Sequence, residues 1–152
     1  MNIRVPASAL ILASSAAGSG DHAHGETPVG QSGSATDGDR TIEIRMVETD
    51  EGMGHEPSEF SVQEGETLRI SVRNAGELEH EIVLGAEQSN LAHKTEMAGM
   101  GQMKHDDPNA LRLDPGAEGE LVWTFSNAGI FQFACLISGH MEAGMHGPIT
   151  VN

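Results

Sequence analysis

The chain has 152 residues with one cysteine, eight methionines, eight histidines and no tyrosine, and a formal net charge of −15. That length suits one domain with a single modest core. The acidity excludes nucleic acid or an anionic membrane surface as partner, because phosphates would repel it, and favours cations and basic proteins, unless the charge serves only solubility.

The first 20 residues, MNIRVPASALILASSAAGSG, carry one cation (Arg4), a short apolar run and then small residues. This is the layout of a secretory signal peptide, too short to span a bilayer, with cleavage expected between Ala16 and Asp21. Its removal takes no acid and leaves 7 basic against 23 acidic side chains, a mature charge of −16. No later segment approaches membrane-spanning length, so a soluble monomer in the periplasm, with no membrane insertion, is expected. Residues 21–40, DHAHGETPVGQSGSATDGDR, contain His22 and His24 and almost nothing apolar, and read as a flexible leader.

From Thr41 onward the pattern is that of strands, and residues 41–152 are expected to form one domain. TIEIRMVE, LRISVRN (68–74) and LVWTFSN (121–127) alternate apolar and polar residues. HEIVLG (80–85) and GIFQFACLI (129–137) are continuously apolar, as strands buried on both faces are, and GPITV lies near the end of the chain. Turn signals separate them at QEGE, NAGE, DPGAEGE and SNAG. Short strands at this spacing predict an all-β protein, a Greek-key sandwich of seven or eight strands. Residues 86–110 break the alternation and predict an insertion, a short helix followed by a mobile Met/His loop.

The segment FACLISGHMEAGMHG holds the only cysteine, and Cys135, His140 and Met145 recur at an even spacing of five. A lone cysteine in an oxidising compartment is either buried as a small hydrophobe or occupied by something. Cys135 ends an apolar strand; His80, where a turn feeds another buried strand, supplies a distant imidazole. Two imidazoles and a thiolate with a weak axial thioether make an electron-transfer copper site. Thiolate and thioether suit Cu(I) while imidazoles also suit Cu(II), so a rigid β scaffold that prevents rearrangement eases the change of oxidation state. The metal would also hold Cys135 deprotonated.

With these residues in place the sequence resembles the cupredoxins over about residues 41–152. EPSEFSVQEGETLRISVRNAG is similar to the family's opening strands, HEIVLG carries the first histidine, and CLISGHMEAGM carries the other ligands. The four residues between Cys135 and His140 match azurin-like and rusticyanin-like members, and the Met/His-rich insertion is similar to exported bacterial copper-tolerance cupredoxins. The resemblance implies one type 1 copper held by His80, Cys135, His140 and Met145, electron exit through His140, and an apolar docking patch of Met141, Ala143 and Gly144. It also implies a redox partner such as a cytochrome or oxidase with a basic or apolar face. Three features depart from the family: Glu81 stands beside the first histidine where Asn is common, Glu79 stands where azurin has a glycine, and no disulfide can form.

A dinuclear copper centre needs two cysteines, a copper–tyrosine radical site needs a tyrosine, and the length leaves no room for the second domain of a copper oxidase. A carrier rather than an enzyme is therefore expected. A second group of candidate copper ligands comprises His93, Met97, Met100, Met103 and His105 in the insertion, Met53 and His55 in EGMGHE, and His22 and His24 in the leader. Core packing is the alternative for methionines at three-residue spacing. If the second group is real, buffering, sequestration or donation of copper competes with electron transfer as the function.

Overall fold

The computed structural model describes residues 27–100 and 106–152. The predicted signal peptide, His22, His24, Met103 and His105 lie outside the described residues. Within them the order is β1 Gln31–Ser32, β2 Arg40–Thr49, β3 Gly52–Glu56, β4 Phe60–Val62, β5 Thr67–Asn74, β6 His80–Gly85, α1 Glu87–Met100, β7 Ala110–Leu113, β8 Glu118–Thr124, β9 Gly129–Ala134 and β10 His146–Val151. One five-stranded sheet has the order β1-β8-β5-β2-β3 and the other β4-β10-β9-β6-β7. The expected all-β sandwich with a helical insertion is the fold found.

Alternation decides which face of each strand turns inward. Leu68, Ile70 and Val72 of β5, Ile44 and Met46 of β2 and Trp123 of β8 are all 0% exposed, while Arg73 and Glu43 face out. They meet Val62, Ile82, Leu84, Phe133, Ile149 and Val151 of the second sheet in one core. Fully burying a side chain of this kind contributes roughly 1.5–3 kcal/mol. β6 is apolar on both faces for a reason: Val83 turns outward into a second cluster with Ala134, Leu136 and Met141, on the sheet that α1 packs against.

Three expectations are corrected. The described residues form ten strands rather than seven or eight; the additional ones are short, β1 having two residues and β4 three. The leader is not flexible throughout: Val29 is 0% exposed in the core, and β1 adds a strand to the edge at β8. One apolar side chain, two ladder pairings and hydrogen bonds such as Gly33 N–H to Val122 O (2.9 Å) and Asn127 Nδ2 to Pro28 O (3.0 Å) hold that segment despite its polar composition. β9 is buried only in its second half, with Ile130 78% exposed.

The helix begins where Ser89 Oγ donates to the Ala86 carbonyl (2.8 Å), with Glu87 in its first turn favouring the helix dipole. Asn90, its one buried residue, donates from Nδ2 to Gln132 Oε1 on β9 (3.1 Å). Lys94 pairs with Glu142 and ties the helix to the loop between β9 and β10.

Candidate metal centre

Two segments deliver the site. β6 starts at His80, and β9 runs antiparallel beside it, with Val83 opposite Ala134. The chain then leaves β9 at Cys135 and returns in β10 from His146, so residues 135–145 connect two neighbouring antiparallel strands. Backbone hydrogen bonds close this connection: Cys135 N–H donates to Met145 O (3.0 Å), His140 N–H to Ile137 O (3.0 Å) and Met145 N–H to His140 O (3.1 Å). Gly144 has φ +103°, a conformation glycine adopts without penalty, and a Cβ there would press to 3.0 Å on Met53 O.

The turn before His80 is held from inside. The Asn74 side chain, 0% exposed, donates to Leu78 O (2.7 Å) and Leu113 O (2.9 Å) and accepts from Gly76 N–H (3.0 Å). His80 is thereby held by a buried amide on one side and strand pairing to Leu113 on the other.

The ligand atoms of His80, Cys135 and His140 all lie within 4.8 Å of one another. His80 Nδ1 is 3.1 Å from His140 Nδ1, which is 3.4 Å from Cys135 Sγ. The imidazoles meet edge to face, with centroids 5.0 Å apart. His80 and Cys135 are buried and His140 is partly exposed, so the cluster reaches the surface through one ring edge. Met145 is 0% exposed and belongs to the same core cluster as Cys135.

Burial pushes the Cys135 thiol up to about 12, against hydrogen bonds from the Glu81 and Ile137 backbones that favour the thiolate. The metal-free site therefore holds a neutral thiol, and metal uptake must release its proton. Burial, and next the charge of His80, push the His140 imidazole below its usual range, leaving a neutral donor. One soft sulfur and two imidazole nitrogens facing a common point fit a copper ion.

Glu81 braces the site in its own way. Its backbone N–H reaches Cys135 Sγ at 3.4 Å, and its carboxylate accepts from Leu136 N–H at 2.9 Å. Burial raises its carboxyl above the ordinary range, while the Leu136 N–H, Arg112 and His93 act against that rise. Arg112 lies opposite Glu81 in the β6–β7 register and pairs with Glu79.

Other predicted residues fall elsewhere. Met141 is 8% exposed and packs into the outer apolar cluster, which corrects its assignment to a docking patch. Ala143 is half-buried and Gly144 exposed. Met53 and His55 lie in β3: Met53 packs on the core, and His55 is 4% exposed with its ring 5.0 Å from that of Phe133. Neither His55 ring nitrogen has a hydrogen-bond partner. Burial lowers its pKa to about 4, a shift only partly offset by the nearby Glu81 backbone, so the ring is neutral. His93, Met97 and Met100 follow α1 at i, i+4 and i+7 and share a face. His93 lines a cleft of about 410 Å³ with Ser89, Asn90 and Asp107.

Sequence reasoning missed Glu48. Its Oε1 lies 2.6 Å from His80 Nε2, the nitrogen turned away from the cluster. The signal was present, since Ile44, Met46 and Glu48 share the inward parity of β2, and an acid in that phase has to meet a partner.

This sandwich, with its Cys–His loop and remote histidine, belongs to the copper binding proteins of the plastocyanin/azurin family, whose model matches residues 42–152. Among its relatives is the copper-resistant cuproprotein CopI of Rubrivivax gelatinosus, 47% identical over 133 residues, covering 87% of this chain and 79% of that protein. CopI of Pseudomonas aeruginosa is 33% identical over 178 residues and covers 97% and 96%. Of solved structures, reduced auracyanin from Roseiflexus castenholzii superposes with a TM-score of 0.63 at 27% identity, covering 74% of this chain and 96% of that one. The chain is thus a copper-binding cupredoxin related to copper-resistance proteins.

Proposed function

We propose that this cupredoxin is an exported, monomeric one-electron carrier of the periplasm, working in copper tolerance. His80, Cys135, His140 and Met145 are its copper ligands. The observation that carries the reading is the buried thiol with two imidazole nitrogens gathered within 4.8 Å of it. Copper, when bound, supplies a one-electron Cu(II)/Cu(I) couple. The chain holds the donors fixed through the hydrogen-bonded 135–145 connection and the Asn74 turn, so that neither oxidation state can rearrange them. The core around Cys135 shields the sulfur from oxidants and water, and the partly exposed edge of His140 is the route for the electron. A carrier of this kind turns over no substrate, so we read the chain as no enzyme.

Its acidity suits a basic partner, such as a cytochrome or an oxidase subunit. Docking falls to the His140 edge with Ala143, Gly144 and Leu78, the last 46% exposed. Copper-loaded protein mixed with a reduced basic cytochrome c should lose its visible band, keep its copper and regain the band on reoxidation. The exchange should slow as salt rises. Release of copper on reduction would overturn the carrier reading.

A second reading, copper buffering or donation, is favoured by one observation: His93, Met97 and Met100 line one face of α1 outside the main cluster. Loss of the gene should then sensitise cells to copper without a respiratory defect.

A further inference from the structure

Most buried side-chain polar atoms have a hydrogen-bond partner, and both ring nitrogens of His80 have a close neighbour. For His80 one nitrogen faces the cluster, and the other meets Glu48 Oε1 at 2.6 Å. This carboxylate is itself immobilised: Oε1 accepts from Leu78 N–H (3.0 Å) and Glu77 N–H (3.1 Å), and Oε2 accepts from Glu77 N–H (3.0 Å). The donors belong to the turn that leads into His80, so Glu48 ties the ring and the backbone beneath it to one point.

The close approach depends on Gly76. A Cβ there would collide with Glu48 Oε1 and come within 3.1 Å of His80 Nε2. In the β2–β3 hairpin, Glu48 is registered opposite Met53. Met53 N–H donates to Ala143 O at 2.9 Å, in the loop that carries Cys135, His140 and Met145. One cross-strand pair of a single hairpin therefore grips both halves of the centre, which come from distant parts of the chain.

We infer that Glu48 is the positioning residue of the copper centre: it holds the His80 proton on Nε2, presents Nδ1 as the free donor, and places a fixed negative charge one imidazole away from the metal. The inference rests on His80 being a copper ligand. Ring-orienting carboxylates of this kind raise ligand basicity and are worth about 10–100-fold in metal affinity or activity. The charge favours Cu(II) over Cu(I), so Glu48 lowers the reduction potential.

The experiment has a metal-free arm and a copper arm. Nitrogen NMR of metal-free protein should find His80 protonated at Nε2, with that tautomer preference lost in E48A. In copper-loaded E48Q, which keeps the shape and removes the charge, the visible band should persist. Its relative affinity for Cu(II) over Cu(I) should fall about tenfold, a potential 59 mV higher for a one-electron couple. G76A should reproduce the tautomer loss by displacing the carboxylate. An unchanged His80 tautomer in E48A, or an unchanged potential in E48Q with its band intact, would overturn the role. Wild-type protein that takes up no copper would overturn the metal-centre reading instead, leaving the metal-free arm to decide whether Glu48 orients the ring.

Discussion

The 135–145 connection and the helix α1 carry the same kinds of donor yet treat them differently. In the connection, backbone hydrogen bonds tie Cys135, His140 and Met145 in place, and the sulfurs of Cys135 and Met145 are buried. Along α1, Met100 is 66% exposed, and His93 and Met97 are half-buried on a helix with a single buried residue. A helix presents side chains every three or four residues in one row, whereas a closed loop beside a second strand can aim them at one point. Thioethers and imidazoles alone do not define a centre that constrains a metal; the enclosing backbone does.

The sharpest way to break this contrast is to remove the sulfur. Cys135→Ser should abolish intense visible absorption and weaken Cu(I) binding by more than the roughly 100-fold that losing an outer-shell partner costs. Competition with a Cu(I)-selective dye measures it.

The contrast also extends to acid stability, through the buried ring of His55. Its folded pKa of about 4 lies below the ordinary 6.5. The unfolded chain therefore binds a proton that the folded one refuses, and stability is lost as pH falls from 6.5 towards 4, by on the order of 3 kcal/mol. Denaturant melts of metal-free protein at pH 7 and pH 4 should show this loss, and His55→Phe should shrink the difference. Equal pH dependence in both proteins would show that the acid sensitivity lies elsewhere.

The smallest effect belongs to the methionines of the insertion. Changing Met97, Met100 and Met103 together to Leu should leave the visible band and the affinity of the first copper unchanged within about twofold, while removing any Cu(I) bound beyond one equivalent. Retention of the extra equivalent would move it away from these thioethers.

Periodicity was a good guide where burial enforces it. The inward phase of β2, β5 and β8 was legible because each strand has one wet face, and the continuous apolarity of β6 was legible because both its faces are covered. The Cys–His loop and the remote His80 could be read from residue type and spacing. What escaped was anything fixed by partners distant in sequence. Val29 is a lone large apolar residue in a polar stretch, and only the folded sandwich gives it a core to join. Met141 reads as a surface residue beside His140, yet the outer cluster with Val83 and Leu136 takes it in. Glu48 sits 32 residues from the imidazole it holds, in a strand whose alternation marks only its apolar members.

Three of the proposed donors lie within residues 135–145, and His146 follows directly. A newly made chain that has not yet folded already carries these donors on one short stretch, before His80 is anywhere near it. Copper met at that stage binds the unfolded ensemble as well as the native one, so the metal stabilises the fold by less than its native affinity implies. Excess copper would then risk trapping the protein half-made, and rapid closure of the sandwich guards against it.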